Sequence, residues 1–319
     1  MTSISHKLNK QRARYLAFCS FFFAMFNAWN SLATYHKIDL EETPVDFYTS
    51  GKCPCSTGSI EYEKKLPFYH YLKMTSVKDQ GPLGTCVSFA TSATAEYYYQ
   101  RRFSEAEFTV LAQTHRLGNH CEGGLFLGNA LRVAKQYGFV PEDKLPYDRY
   151  LEEVALKNGI NISYEGWEDD LRAQEDAKVC TMSDYNGTMK EFGIDLALSS
   201  LSKKATAPVG KPLEADIESV EKALCCGSPV VAALDIYQNC WDNPISRNGY
   251  QISMPTLYDS IEGSHAIVIT GFDFKRKLFE IKNSWGLKWG KKGYAYLPYD
   301  YLEQYATELV AVGTPLSKN

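Results

Sequence analysis

Hydrophobic positions divide the chain into a front half with helical periodicity and a back half that reads as strands. Residues 86–102 contain neither glycine nor proline, and Val87, Ala90, Thr94 and Tyr98 recur at helical spacing. Thr85 stands at the N-cap position of that helix. Residues 214–225 predict a further helix and residues 229–236 a buried strand. Residues 263–273 and 278–286 are rich in β-branched and aromatic side chains and predict two strands, joined by a charged hairpin turn at 273–277. Residues 307–312 predict the last strand. Between the halves, residues 148–212 mix the acidic stretch 165–170 with an amphipathic piece at 171–179. Insertions of this kind cost little stability and often shape binding surfaces.

The first residues follow another pattern. Lys7, Lys10, Arg12 and Arg14 precede an uncharged, mostly apolar run at 15–29, and Ser31-Leu32-Ala33 offers small residues after it. This is the layout of a secretory signal peptide at 1–33. The run is shorter than the about 20 apolar residues of a spanning helix, and Asn27 interrupts it. No stable membrane anchor is expected once the signal is removed. Residues 34–65 are then a short N-terminal extension or a prosegment.

The predicted elements place particular side chains. Cys86 falls in the first turn of its helix, where the positive end of the macrodipole favours a thiolate. His265 and Asn283 are equidistant from position 274, inside the predicted turn. A hairpin would set them directly opposite, with Cβ atoms about 4.5–5.5 Å apart. An amide facing an imidazole can fix the ring, as a catalytic base requires of a third group.

These residues resemble the papain-like cysteine peptidases, whose Cys-His-Asn arrangement is a variant of the catalytic triad. The resemblance runs from about Leu66 to Val312. Gln80 matches the oxyanion-hole glutamine, Cys86 the nucleophile, His265 the general base and Asn283 its orienting partner. Trp285 matches the indole that shields the His-Asn contact, and Trp285-Gly286, Trp289-Gly290 and Gly293-Tyr294 match the region that follows. Cys121-Glu122-Gly123-Gly124 resembles the family's glycine-rich substrate rim, and Leu145-Pro146-Tyr147 its Tyr-Pro-Tyr segment. The resemblance implies an α+β, two-lobe fold within 66–319. Its helical lobe spans about 71–212, including the 148–212 insertion, and its antiparallel β-barrel lobe spans about 213–319. The active site would lie in the cleft between them, with the insertion framing one end. It implies hydrolysis of a peptide or protein substrate, with Gly84, Gly123, Gly124, Ser264 and Trp285 at the substrate and residues 34–65 as a possible internal inhibitor. Exopeptidase or acyl-transferase chemistry would use the same groups. A non-catalytic peptide-binding scaffold would not need Gln80, Cys86, His265 and Asn283 together.

Three positions depart from the pattern. Leu83 replaces a cysteine that in the family bonds the rim cysteine, here Cys121. Val87 replaces a bulky aromatic, and Ser264 stands where many relatives carry Asp or Asn. The interval from Cys86 to His265 also exceeds the about 130–150 residues usual in the family, and the surplus lies in 148–212. The missing cysteine and the short N-terminal stretch make a divergent, bacterial secreted member the expectation.

Composition adds bounds. In 319 residues, 45% hydrophobic, there is material for two lobes around a cleft. A net charge of −4 gives no footprint for nucleic acid. Nine cysteines fit export to an extracellular, periplasmic or lysosomal space. Neither the adjacent pair Cys225-Cys226 nor Cys53/Cys55 readily bridges internally, so any disulfides are longer-range. Cys53, Cys55, His115, His120 and Cys121 do not match compact zinc spacings, and the chemistry that the resemblance implies needs no metal or organic cofactor.

Overall fold

The central strands are buried on both faces, and this sets the layout of the molecule. The computed structural model describes residues 69–115, 117, 124–173, 209–214, 216–237, 239–241, 244 and 248–313. In chain order the elements are β1 (Tyr69–Tyr71), α1 (Cys86–Tyr99), α2 (Glu105–Thr114), α3 (Leu127–Tyr137), α4 (Tyr147–Lys157), α5 (Trp167–Ala173), β2 (Val209–Pro212), α6 (Ile217–Cys225), β3 (Val230–Tyr237), β4 (Ile261–Asp273), β5 (Leu278–Lys282), β6 (Tyr294–Pro298), α7 (Tyr299–Tyr305) and β7 (Ala306–Gly313). The fold is α+β. The paired strands form one antiparallel sheet in the order β2-β7-β3-β4-β5-β6, with β1 added to β4.

On β3, Val230, Ala232, Leu234 and Ile236 face one core, while Val231 and Ala233 face a second. On β4, Ile267 and Ile269 join the first core, and Ala266 and Val268 the second. Alternation thus disappears from the sequence here because both faces are covered. The second core is where α1, α2 and α3 meet the sheet, through Val87, Ala90, Phe108 and Val133. The first core lies behind the sheet and holds Trp241, Trp289, Tyr299 and Tyr301. A third, smaller core packs Phe89 of α1 against Leu145, Tyr147, Tyr150 and Val154.

Helix ends follow local chemistry. Ser104 and Asp216 cap α2 and α6 by accepting from the N–H groups of Glu107 and Ser219. The helix opened by Cys86 ends at Tyr99 rather than 102, because Gln100 adopts a left-handed conformation with its N–H on the Glu96 carbonyl. Residues 1–68, and with them the expected signal peptide and prosegment, lie outside the described residues, as does most of the acidic insertion. What is described of that insertion includes α5 at one end and β2 at the other, and β2 pairs with β7. Cys225 and Cys226 are both disulfide-bonded, whereas Cys86 and Cys240 remain thiols.

The two halves are also joined by buried charge. Lys78 Nζ lies 2.7 Å from both Glu96 and Glu105 and donates to the Phe103 carbonyl at 2.8 Å. Both carboxylates are 1% exposed. Burial acts against the Lys78 charge, but Glu105, Glu96 and Glu142 overcome it and hold its pKa above the ordinary lysine value. Thr75 Oγ1 donates to Glu96 and accepts from Lys282 Nζ on β5, which ties the strand to α1. Burial pushes Lys282 down to about 8, against the pull of Glu96. Removing one partner from such a cluster strands the others in a low-dielectric interior. Lys78→Met should therefore destabilise the protein by about 3–5 kcal/mol, read as a lower urea midpoint at unchanged slope. A loss below about 1 kcal/mol, the range of exposed pairs, would show that the cluster is hydrated rather than buried.

Candidate active site

A six-residue turn delivers the N-terminus of α1. Gly81 takes φ +59°, a conformation open to glycine without strain, and the Gln80 amide donates across to the Ser284 carbonyl at 2.9 Å. Within the turn, Gln80 Nε2 donates to the Leu83 carbonyl at 2.8 Å and the Thr85 amide to the same carbonyl at 2.8 Å. Gln80 Oε1 accepts from Ser284 Oγ at 2.6 Å. The Gln80 carboxamide is therefore clamped from both lobes while keeping a second N–H on Nε2.

Cys86 opens α1 and is buried. Burial pushes its thiol above the ordinary cysteine value. N–H groups of Ala266, Val87 and Cys86 itself pull the other way. The helix-end effect expected from sequence is present in the last two donors, but desolvation outweighs it. The Ala266 contact also locates the sulfur, since it sets Cys86 beside the residue that follows His265.

His265 Nε2 lies 2.7 Å from Asn283 Oδ1. Asn283 Oδ1 also accepts from the Ser284 amide at 2.8 Å, which fixes the carboxamide with its oxygen toward the ring. An oxygen only accepts, so Nε2 carries the hydrogen and Nδ1 of the neutral ring is left as an acceptor. The route to this contact differs from the expected one. The turn is centred between 275 and 276, with Asp273 opposite Leu278, and a bulge at Thr270 moves the register again, to Val268 opposite Lys282. His265 pairs with Leu234 of β3, not with Asn283, which lies just past the end of β5. Continuing the ladder puts Asn283 level with Ile267, two residues from His265 and on the same face. Diagonal neighbours at that offset are within reach of long side chains, and an even offset preserves the face.

Aromatic rings wall the pair. The Trp285 ring lies 4.6 Å from the His265 ring, and the Trp289 ring meets Trp285 edge-on at 5.5 Å. Trp241, fully buried, stands 6.1 Å from His265 and donates through Nε1 to Tyr301 Oη at 2.8 Å. Burial pushes His265 down to about 4, with the Asn283 bond opposing. Gly286, at φ +72°, follows Trp285 because a Cβ there would lie 2.4 Å from the Asp79 carboxylate.

The structure thus brings Gln80, Cys86, His265, Asn283 and Trp285 into one neighbourhood. Ser264 is exposed beside His265, and Gly84 lies in the turn before Cys86. Gly124 immediately precedes the segment entering α3, while Gly123 and Cys121 lie outside the described residues. Trp241 and Ser284 were not singled out from sequence. Trp241 belongs to no periodic segment, and the role of Ser284 appears only when β5 meets the turn at Gln80.

Residues 69–311 match the papain family cysteine proteases. The chain belongs to the papain family. It is 26% identical over 231 residues to an uncharacterized peptidase C1-like protein of Acanthamoeba polyphaga mimivirus, covering 70% of this chain and 64% of that one. It is 23% identical over 248 residues to cathepsin L of Sarcophaga peregrina, covering 74% and 58%. The chain thus spans less than two thirds of the length of these curated relatives. Among solved structures, Xylellain, a cysteine protease from Xylella fastidiosa, superimposes with a TM-score of 0.59 at 20% identity, covering 86% of this chain and all of that one. Digestive procathepsin L 3 of Tenebrio molitor gives 0.52 at 20% identity, covering 83% and 76%. Both are likenesses of fold.

The papain-family site makes a titration prediction. Burial holds His265 neutral, and NMR of Cys86→Ala, which leaves no thiol beside Ala266, should show His265 unprotonated from pH 7.5 to 5.5. The folded value of about 4 lies below the ordinary 6.5, so the unfolded chain takes the proton first as pH falls. The stability owed to the neutral ring is complete above pH 6.5 and disappears as pH falls toward 4, by about 3 kcal/mol. A Cys86→Ala/His265→Gln protein should lack that increment in its stability-pH curve.

Proposed function

We propose that the protein is a secreted cysteine endopeptidase in which Cys86, His265 and Asn283 form the catalytic triad and Gln80 serves the oxyanion hole. The observation that carries the reading is the His265 Nε2 to Asn283 Oδ1 contact of 2.7 Å with the Cys86 thiol beside Ala266. It orients Nδ1 as the acceptor for the thiol proton. Burial disfavours a thiolate and an imidazolium taken singly. Moving the proton from sulfur to Nδ1 would create both charges together, and their mutual attraction would offset part of the desolvation each would suffer alone.

The thiolate then attacks the scissile carbonyl carbon, and the carbonyl oxygen becomes an oxyanion. The second N–H of Gln80 Nε2 and the backbone N–H of Cys86 receive it. His265 passes its proton to the leaving amine as the C–N bond breaks, then takes a proton from the water that hydrolyses the thioester. Asn283 keeps the ring in plane throughout, and Trp285 keeps water from the Nε2–H bond. An extended substrate would run past Gly84 and Gly124 on one side and Ser264 and Trp285 on the other. Several matched relatives are named cathepsin L, cathepsin L-like proteinase or cathepsin L-like peptidase, which supports a peptide substrate. Matched solved structures include pro-forms, which supports residues 34–65 as a prosegment.

Protein lacking residues 1–33 tests this reading. An epoxide that alkylates activated cysteines should label Cys86 alone, and His265→Ala should abolish labelling. A peptide blocked at both termini should be cut internally; products trimmed only from an unblocked end would instead identify an exopeptidase. Gln80→Ala should lower kcat by about 10²–10³-fold, the loss of one oxyanion donor. A protein starting at Leu66 should label faster than one starting at Thr34, and equal rates would remove the inhibitory role of 34–65.

A further inference from the structure

One phenolic oxygen closes the turn that carries both proposed oxyanion donors. Gln80 stands at one end of the turn and Thr85 at the other, with the Cys86 N–H directly after. Tyr147, the first residue of α4, is buried beneath them, its ring edge-on to Phe89 of α1 at 4.6 Å. Its hydroxyl donates to the Gln80 carbonyl at 3.0 Å and lies 2.7 Å from Thr85 Oγ1. A phenol has one proton and the carbonyl can only accept, so Thr85 donates in the second bond. Burial pushes the Tyr147 pKa well above the ordinary tyrosine value, which keeps that proton in place.

Thr85 shows that this arrangement displaces an ordinary one. A threonine at an N-cap usually accepts from an N–H of the first turn, as Ser104 and Asp216 do elsewhere in this chain. Thr85 makes no such bond, because its hydroxyl is turned to Tyr147. The helix that presents Cys86 has gone without its side-chain cap, and the same hydroxyl bridges the turn instead. The Leu83 carbonyl also links the Gln80 carboxamide to the Thr85 N–H, and Ser284 orients that carboxamide, but the gap between the Gln80 backbone and the start of the helix is spanned by the Tyr147 hydroxyl. Gly81 and Gly84 lie in that gap, where backbone freedom is greatest.

We propose that Tyr147 is a positioning residue for peptide hydrolysis, its hydroxyl setting the distance between the Gln80 carboxamide and the Cys86 N–H. The inference rests on the reading of those two groups as oxyanion donors. It predicts an effect on oxyanion stabilisation alone, since the sulfur and His265 are held by other contacts.

The test compares Tyr147→Phe, Thr85→Val, Gln80→Ala and Tyr147→Phe/Gln80→Ala in two reactions, with melting curves for each. One is hydrolysis of a blocked fluorogenic peptide; the other is alkylation of Cys86 by iodoacetamide, which builds no oxyanion. Tyr147→Phe should lower kcat about tenfold with KM and the alkylation rate changed less than about twofold. On the Gln80→Ala background, the same substitution should add less than about twofold, because the gap it sets then has one end only. Thr85→Val, which keeps the phenol's bond to Gln80, should give a smaller loss of kcat with the same pattern, and it reads the bridge even if Tyr147→Phe folds poorly. Unchanged kcat in both single variants, alkylation falling in step with hydrolysis, or full multiplication of the two losses would overturn the inference. Full-rate hydrolysis by Gln80→Ala would remove the oxyanion reading and the inference with it. A slow Gln80→Ala beside a normal Tyr147→Phe and Thr85→Val would remove the inference alone.

Discussion

The close approach of α1 to β4 is the constraint on which the rest of this structure depends. Cys86 at a helix end comes beside Ala266, the neighbour of His265, only if helix and sheet pack with little between them. Small side chains make that possible: Ala90 and Ala93 on the helix meet the face that carries Ala266 and Val268, with Ala233 packed beside them. A larger residue at 233 or 266 would lift the helix and take the sulfur from its place beside Ala266. The same packing buries Cys86 and His265, and burial determines how they ionise. Each is pushed toward its neutral form.

The interface is held at its rim by polar contacts whose partners are far apart in sequence. Lys78, Glu96, Glu105, Thr75 and Lys282 form one group; Gln80 and Ser284 form another. Lys78 and Gln80 are two residues apart, and so are Lys282 and Ser284. The segment that leaves β5 and the one entering the turn run side by side and antiparallel, with Asp79 opposite Trp285. This arrangement couples the stability of the interface to the geometry around Gln80 and Asn283, since a shift that breaks one set displaces the other.

Much of the fold and most of the site were legible in the chain. The helix after Thr85, the strand after Pro229 and the hairpin around 274–277 follow from local pattern, because each has its signal within a few residues. Cys86, Gln80, His265, Asn283 and Trp285 were nameable because their types and spacing are unusual together. The register of His265 and Asn283 was not. It depends on a four-residue turn and a bulge at Thr270, and neither leaves a mark that a symmetric hairpin would lack. The side chains meet all the same, because the error was an even number of residues.

The sequence by itself determined the element types, the membership of the family and the identity of the groups available for chemistry, since these depend on residue type and short-range order. Tertiary structure alone decided which groups share a hydrogen bond and how each titrates. Trp241 against His265, Ser284 on Gln80 and Tyr147 under the turn join segments dozens to hundreds of residues apart. Whether a thiol at a helix end is pulled down or pushed up depends on how much solvent the packing removes, and that is a property of the folded interface rather than of any stretch of chain.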